Sequence, residues 1–401
     1  MANTLLTTAQ ITNEALMVLE NTLSFTKTVN REYDDSFARS GAKIGDTINI
    51  RKPVRYVGRR TSAINIENSV ESTVPLTVNT PYGNDMAFTS ADMALSIDEF
   101  SSRFIKPAVA NISNMIDQDG LALASSIYNA VGTPGTTVST AATILAAGVK
   151  LSNEAAPIDE RFLVLNPAGQ AGIVGGLTNI FNPQATISKQ YLKGSMGDAL
   201  GFSFLMDQNV GTYTSGVLGG TPLVNGVPAS GATTLATDGW TAAALARVKA
   251  GDIFTIANVF AVNPQTRQST GQLRQFAATA VGSSDGSGNM TISITPAIIA
   301  SGQYQTVDAL PADNAPITFA AAASTLTVNN LAYCKDAFTF ACVDLPALPG
   351  TETSRVSSKK LGMSIRLTMG ADIVNDRQIN RLDLLGGWAC IRPELACRVY
   401  G

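Results

Sequence analysis

Residues 44–60 read IGDTINIRKPVRYVGRR, and the rest of the chain is organised around this stretch. Asp46 to Ile50 alternates polar and apolar residues, which predicts a strand. The strand runs into a basic arm with five positive charges before the first acidic residue, Glu67. These charges are Arg51, Lys52, Arg55, Arg59 and Arg60. The arm has too little apolar surface to fold alone, so we expect an extended loop that contacts other protein.

A long helix is predicted after the arm. Alternating residues between Leu76 and Phe88 first predict strands that return from it. Ser96-Ile97-Asp98-Glu99 then forms a capping box, and apolar residues keep helical spacing as far as Ile127. A continuous helix of about 35 residues would span about 50 Å. Pro107 is expected to kink this helix or to mark a restart.

A first helix is predicted near the N-terminus, from Thr7 to about Val29. Thr7 and Gln10 have the spacing of a capping box, and apolar residues then recur on one face. The helix carries two acidic residues, Glu14 and Glu20, which are candidates for docking a basic partner. Alternatively, they simply face solvent, as charges on amphipathic helices usually do.

The middle of the chain passes from a mixed α and β pattern to a β-rich segment and back. Helix 141–151 and strands 161–165 and 202–206 are predicted first. Residues 221–322 then carry only nine charged side chains and no Glu. Strand-like runs at 253–262, 273–281 and 290–295, with turns such as SDGSGN at 284–289, predict an inserted all-β barrel or sandwich. The mixed pattern resumes at about Ser324 and ends in strands of a closing sheet.

The composition argues against several classes of function. Charged residues are 15% and hydrophobic residues 45% of the 401, so we expect the apolar excess to be buried against protein. A formal charge of −3 argues against a dedicated nucleic-acid binder. The absence of histidine removes the usual general base and the commonest metal ligand. We therefore predict no catalytic residue, no metal and no cofactor.

Two further observations bear on compartment. The first residues lack the basic region of a secretory signal, and no run approaches the roughly 18 apolar residues of a membrane span. We therefore expect neither export by that route nor a membrane partner. Four cysteines match no zinc signature and are interpreted as reduced core residues. They are Cys334, Cys342, Cys390 and Cys397.

A nucleotide-binding loop is one alternative that the glycines after strand 161–165 suggest. Glycines stand at 169, 172, 175 and 176, and Asp198 lies about twenty residues beyond the last of them, where a ribose acceptor is expected. The spacing is not that of the dinucleotide fingerprint, and Asn166-Pro167 places a turn where the helix should meet the pyrophosphate. Glycines in this pattern more often mark turns.

Three interpretations of the basic arm remain open. Its charges could contact nucleic-acid phosphates, could simply be solvated, or could lie on an acidic patch of a neighbouring subunit. We favour the third, since Asp92, Asp98 and Glu99 at the start of the long helix offer a complement. The helix N-terminus itself also favours acids at these positions.

Three stretches together resemble a known family. They are IGDTINIRKP at 44–53, VNPQTRQSTGQL at 262–273 and GGWACIRPELACRV at 386–399. With the order of elements, they make the chain resemble major capsid proteins of tailed bacteriophages that have the Hong Kong 97 fold. The resemblance is to the podophage coat proteins that carry an inserted β-barrel domain.

This resemblance implies an α+β fold with five parts. They are an N-terminal arm (1–43), a strand with an extended loop (44–89, the loop at about 51–75), a peripheral domain with a spine helix (90–131 and 351–401), an axial domain (132–220 and 323–350) and the inserted β-barrel (221–322). The basic residues of the arm would then be intersubunit contacts. Glu14 and Glu20 would be possible contacts for a scaffolding protein.

The implied function is a coat subunit without enzymatic activity. Copies would self-assemble as hexamers and pentamers of an icosahedral head in the bacterial cytoplasm. The head would enclose double-stranded DNA without sequence-specific binding, with a scaffolding protein and a portal as partners. The alternative is an exported surface-layer or adhesin-like binding protein, which the β-rich insert suggests but the missing signal disfavours.

Overall fold

The computed structural model describes residues 8–32, 46–59, 61–64, 66–89, 104–177, 197–243, 245–358 and 363–401. Within them the chain forms four α-helices: α1 (Thr8–Thr22), α2 (Lys106–Ala122), α3 (Ala141–Asn153) and α4 (Pro167–Leu177). The strands of the N-terminal half are β1 (Asp46–Arg51), β2 (Thr73–Val78), β3 (Thr80–Thr89), β4 (Ala130–Val131), β5 (Arg161–Leu165), β6 (Asp198–Ala199), β7 (Phe202–Met206), β8 (Thr212–Thr214), β9 (Gly220–Val224), β10 (Ala232–Trp240) and β11 (Leu245–Val248).

The remaining strands are β12 (Ile253–Val262), β13 (Ser269–Ala278), β14 (Gly282–Ser284), β15 (Met290–Ile298), β16 (Ile317–Phe319), β17 (Leu326–Val328), β18 (Asn330–Cys334), β19 (Phe338–Val343), β20 (Glu352–Ser358), β21 (Met363–Asp372), β22 (Arg377–Cys390) and β23 (Ala396–Val399). The chain divides into two compact units. The first contains Met1–Ile50, Thr73–Gly120 and Phe338–Ile391, and the second contains Arg51–Ser72, Leu121–Ala337 and Arg392–Gly401.

The first unit is built around β22. This 14-residue strand pairs antiparallel with β3, β19 and β21. Gly386 and Gly387 lie in it because a Cβ at Gly386 would meet the Phe340 ring at 2.6 Å, and one at Gly387 would overlap the Thr77 carbonyl oxygen of β2. Two adjacent glycines thus allow β2 and an aromatic ring to approach the strand closely.

An aromatic cluster fills the space beside β22. Trp388 stacks on Phe25 with ring centroids 5.5 Å apart and packs on Phe340 at 4.9 Å. Helix α2 reaches this cluster at Gly120, where a Cβ would lie 2.6 Å from the indole and 2.8 Å from Phe25. The helix can therefore pack here only without a side chain at this position.

The helix predicted from Thr7 to about Val29 is wrong at its C-terminal end, since α1 ends at Thr22. Asp117 of α2 supplies the physical reason. Its buried carboxylate accepts hydrogen bonds from the Ser24 and Thr26 amides, each at 2.9 Å, and from the hydroxyls of both residues. Phe25 and Val29 keep a spacing that resembles a helix because both are buried, although the backbone there has turned away.

The long helix also ends earlier than predicted. Helix α2 ends at Ala122 and is followed by a 3₁₀ turn over Leu123–Ser126. Pro107 is the second residue of α2 and directly follows a π-helical turn that includes residues 104 and 105. The capping box at 96–99 lies outside the described residues.

One sheet of the second unit has the strand order β4-β23-β18-β5-β7-β6. Strand β5 covers the predicted residues Arg161–Leu165 and pairs parallel with β7. Helix α4 follows β5 directly, and two of its four glycines, Gly172 and Gly176, allow close packing. A Cβ at Gly172 would lie 2.5 Å from the Val138 carbonyl oxygen, and one at Gly176 would overlap that of Ser139.

A second sheet of the same unit has the order β16-β12-β13-β15-β10-β9. Its inner face is an apolar core that includes Trp240, Phe254 and Phe276. The first and last strands in that order also meet, because the Val224 amide donates to the Ala315 carbonyl at 3.0 Å and Leu223 forms a bridge with Pro316. The strand predicted at 253–262 is confirmed, whereas the one predicted at 273–281 covers Ser269–Ala278.

Two polar side chains join the two sheets of the second unit. Arg398 is fully buried and donates to the carbonyls of Gly251, at 2.7 Å, and Ser125, at 2.8 Å. Gln275 exchanges two hydrogen bonds with the backbone of Ala130, at 2.9 and 3.0 Å. These contacts fix the second sheet to the first through backbone groups that would otherwise lack partners.

The four cysteines are free thiols, and all but Cys390 are buried. Burial raises the pKa of Cys397 to about 12, so this thiol stays protonated at neutral pH. Within the described residues, no helix is both long and apolar enough to cross a membrane.

Gly120→Ala is expected to destabilise the protein by about 1–3 kcal/mol, because the added methyl group overlaps Trp388 and Phe25. Gly175→Ala is the matched control, since no atom lies within 4 Å of a Cβ at this helical position. It should stabilise by up to about 1 kcal/mol through helix propensity. Urea unfolding of both full-length variants measures the difference, and a shift of the same sign in both would contradict the packing role of Gly120.

Candidate functional site: the extended basic loop

Residues 51–72 form an extended loop with two limbs joined by side-chain bonds. At its base the Lys52 amide donates to the Ser72 carbonyl at 2.8 Å. Farther out, the Glu67 carboxylate accepts from the amides of Val57, at 2.7 Å, and Gly58, at 2.8 Å. A left-handed φ of 71° at Gly58 turns the chain at this point. One carboxylate therefore joins the limbs where a strand ladder would otherwise be needed.

Three side chains from 267–304 hold the loop from outside. Arg267 donates to the Tyr56 carbonyl at 2.7 Å, Gln303 to that of Asn68 at 2.5 Å, and the Tyr304 hydroxyl to that of Val70 at 2.6 Å. All three acceptors are backbone carbonyls. The loop is thus positioned by its backbone, which leaves its side chains available for other contacts.

The structure brings two predicted contact residues to acids of the same chain. Arg51 lies 3.5 Å from Glu71, with both side chains more than half exposed. Arg55 lies 3.4 Å from Glu394, which also accepts from Arg392 at 3.3 Å. An exposed pair such as the first contributes little to stability.

The other basic residues of the arm have no described acid beside them. Arg59 is exposed and donates to the carbonyls of Thr61, at 3.0 Å, and Ala63. The Lys52 ammonium has no ion-pair partner among the described residues. Arg60 lies outside the described residues.

The predicted acidic partners are not part of the described structure. Asp92, Asp98 and Glu99 all lie in the interval 90–103, outside the described residues. Glu14 is half-buried on α1, and the side chain of Glu20 is outside the described set. Helix α1 belongs to the first unit and the loop to the second.

Four large apolar side chains of the loop are more than half exposed. Ile64 is 81% exposed and Ile66 is 84% exposed. Val70 and Tyr56 are also more than half exposed. Large aliphatic side chains exposed to this extent on an extended segment are typical of a surface that another protein covers.

Sequence reasoning missed the residues that shape the loop. Glu67 is the first acid after the arm, but nothing local in the sequence indicates that it binds amides nine and ten residues earlier. Arg267 and Glu394 both lie within the stretches that carry the family resemblance. Those motifs do not indicate that Arg267 binds the Tyr56 carbonyl or that Glu394 binds Arg55. The approach of a distant side chain to a backbone carbonyl has no local sequence signature.

Arg267→Ala is expected to speed amide exchange at Val57 and Gly58 by about tenfold, because a charged donor to the adjacent Tyr56 carbonyl is lost. Hydrogen exchange followed by mass spectrometry measures this. Arg355→Ala is the control, since Arg355 is exposed and its acid Asp344 is 3.8 Å away. Unchanged exchange in the Arg267 variant would show that the loop does not depend on this bond.

A comparison with curated proteins finds no match. Among solved structures, the chain is similar to one from Mycobacterium phage Che8, with 9% identity, TM-score 0.49, and 94% of this chain and 90% of that chain covered. It is also similar to the mature capsid of bacteriophage PhiM1, with 10% identity, TM-score 0.41, and coverage of 89% and 82%.

A third structure is shorter. The CUS-3 coat protein I-domain is 28% identical with TM-score 0.19, and the match covers 25% of this chain and 94% of that one. The family model described as "P22 coat protein - gene protein 5" matches residues 1–400. The chain therefore belongs to the P22 coat protein family and is a major capsid protein, a structural subunit of a bacteriophage shell.

Proposed function

We propose that the extended loop is an intersubunit contact through which copies of this capsid protein join as hexamers and pentamers of an icosahedral head. The observation that carries the proposal is the exposure of Ile64 and Ile66 on a loop whose backbone is held at several points. Such a loop loses little conformational entropy when a second copy covers it. Burial of both isoleucines would then contribute about 1.5–3 kcal/mol each.

The charges of the loop suit a neighbouring acidic surface. Arg59 bonds only to carbonyls of its own loop among the described residues, so its positive charge is not neutralised there. Arg51 is held by a single exposed acid. Asp92, Asp98 and Glu99 of a neighbouring copy remain our candidate partners. Complementary charges at the rim of an interface mainly steer association and select the partner.

The finer domain assignment is part of the same proposal. We assign 221–322 to an inserted β-barrel, which is supported by the bonds between the ends of its six-stranded sheet and by its own apolar core. The arm at 1–43, the loop region at 44–89, the peripheral segments 90–131 and 351–401, and the axial segments 132–220 and 323–350 complete the assignment.

The remaining partners follow from a coat function. The head would enclose double-stranded DNA without sequence-specific contacts, which suits a chain of formal charge −3. A scaffolding protein, with Glu14 and Glu20 as candidate contacts, and a portal would take part in assembly in the host cytoplasm. The subunit has a structural role, and we assign it no catalytic step. The family match does not favour the adhesin-like alternative.

Arg59→Glu combined with Arg60→Glu is expected to leave the subunit folded, because the described Arg59 side chain is exposed and bonds only within the loop. Particle yield should fall at least about tenfold, since like charges brought together at an interface cost several kcal/mol. Electron microscopy counts the particles, and circular dichroism checks the fold. Arg59→Lys with Arg60→Lys keeps the charge and should assemble. Normal particles from the glutamate variant would exclude the charged contact.

Ile64→Asp combined with Ile66→Asp tests the apolar contact separately. We expect a folded subunit with unchanged thermal unfolding, because both side chains are exposed in the single chain. Assembly should fail, since an interface that buries two unpaired carboxylates is strongly disfavoured. Ile64→Leu with Ile66→Leu preserves the apolar surface and is the control. Full assembly of the aspartate variant would place the subunit contact elsewhere.

A further inference from the structure

A cavity of about 540 Å³ lies behind the base of the loop, within the second unit. Its walls come from the loop base, the β12–β13 turn, the end of β15 with the segment that follows it, and the turn before β23. A volume of this size falls in the range of about 300–1,000 Å³ that is typical of small-molecule sites. Tyr56, Tyr128 and Tyr304 and four prolines form much of the wall, which gives the cavity stiff sides.

The charges that line this cavity are unbalanced. Four cationic side chains line it, and the only carboxylates from the described residues that line it are Glu154 and Glu394. The cationic side chains are Lys52, Arg55, Arg274 and Arg392. A concave surface with partly buried cations in excess concentrates positive potential and attracts anions.

At the back of the cavity the charges are already paired. Arg274 is 4% exposed, donates to Glu154 at 2.5 Å, and lies with its guanidinium carbon 4.7 Å from the centre of the Tyr128 ring. Burial, followed by the charge of Glu154, raises the pKa of Tyr128 well above its usual 10, so this tyrosine stays neutral. Arg274, Glu154 and Tyr128 thus carry no net charge together. The excess positive charge of the cavity therefore belongs to its other cationic side chains.

At the front, three cations have only one carboxylate. Arg55 and Arg392 share Glu394, at 3.4 and 3.3 Å, which are long distances for charge-assisted hydrogen bonds. The Lys52 ammonium has no hydrogen bond or ion pair to any other described residue. Arg55 and Arg392 are each about one quarter exposed, so they are partly desolvated while still reachable.

We propose that this cavity binds a small multivalent phosphate, with Lys52, Arg55 and Arg392 as its ligands. Phosphate oxygens match the planar donors of arginine and the point charge of lysine. A macromolecular polyanion suits the site less well, because the cations line a cavity beneath the loop base while its floor is occupied by Arg274 and Glu154. A bound phosphate would link the loop base, through Lys52 and Arg55, to the C-terminal segment, through Arg392.

Titration calorimetry of the full-length protein with inorganic pyrophosphate tests this proposal, with sodium chloride keeping the ionic strength constant. We expect saturable binding of one pyrophosphate per chain. Lys52→Gln should weaken it about tenfold, the loss expected for one charge-assisted bond. Lys335→Gln removes the same charge from a half-exposed residue of the same unit that does not line the cavity, and should leave binding unchanged.

A second variant separates binding from simple support of the loop. Glu394→Gln removes the competing carboxylate, so pyrophosphate should bind several-fold more tightly. If Glu394→Gln left the affinity for pyrophosphate unchanged, Arg55 and Arg392 would not be ligands, and the proposal would be wrong. Absence of saturable binding, or equal losses in Lys52→Gln and Lys335→Gln, would also overturn it. Thermal unfolding of each variant confirms that the comparison concerns folded protein.

Discussion

The first unit depends on the pairing of β22 with three strands. One of them, β3, comes from the first quarter of the chain, and the other two, β19 and β21, come shortly before β22. It pairs with β3 over Arg377–Gly386, with β21 over Arg377–Asp383 and with β19 over Leu385–Cys390. The first unit can therefore close only after residues near the beginning and the end of the chain have met. Pairings of this kind make loop closure costly and slow the formation of the sheet.

Three glycines and two buried carboxylates allow this closure. Gly386, Gly387 and Gly120 leave room for a strand, a phenylalanine ring and the Trp388 indole to meet. Asp117 then ends α1 by binding the amides that follow it. Arg366 and Asp383 form a buried two-pronged ion pair, at 2.5 and 2.9 Å, across β21 and β22. Since a lone buried charge is costly, this pair also fixes the register of the two strands.

The extended loop of the second unit needs partners for the polar groups of its backbone. Among the described residues of the loop no strand ladder continues beyond the base, and the side chains of Glu67, Arg267 and Tyr304 supply bonds to its backbone instead. As the proposed intersubunit contact, a loop with a fixed backbone and exposed isoleucines would combine a low entropy cost of ordering with apolar area to bury. That combination suits a subunit that must join many identical copies.

The elements that the sequence predicted well share one property. Strands 161–165 and 253–262 have apolar patterns bounded by turn residues, so their limits depend on local chemistry. The two predicted helices extended too far at their C-terminal ends because their limits depend on tertiary contacts. Phe25, Val29 and Ile127 are all buried, Phe25 against the distant Phe338 and Trp388, and burial alone reproduced a helical spacing. The loop site was found by its charges, whereas its anchors Glu67, Gln303 and Tyr304 were not.

By itself, the sequence determined the kind of protein: low charge, excess apolar surface, no histidine, an arm of five positive charges, and three motifs that resemble phage coat proteins. Composition and local pattern suffice for these because each depends on residues close together in the chain. The tertiary structure alone decided where the helices end, which carboxylates meet the arm, and that cations gather around a cavity behind it. These depend on distances between segments far apart in sequence, and local preferences carry no information about such distances.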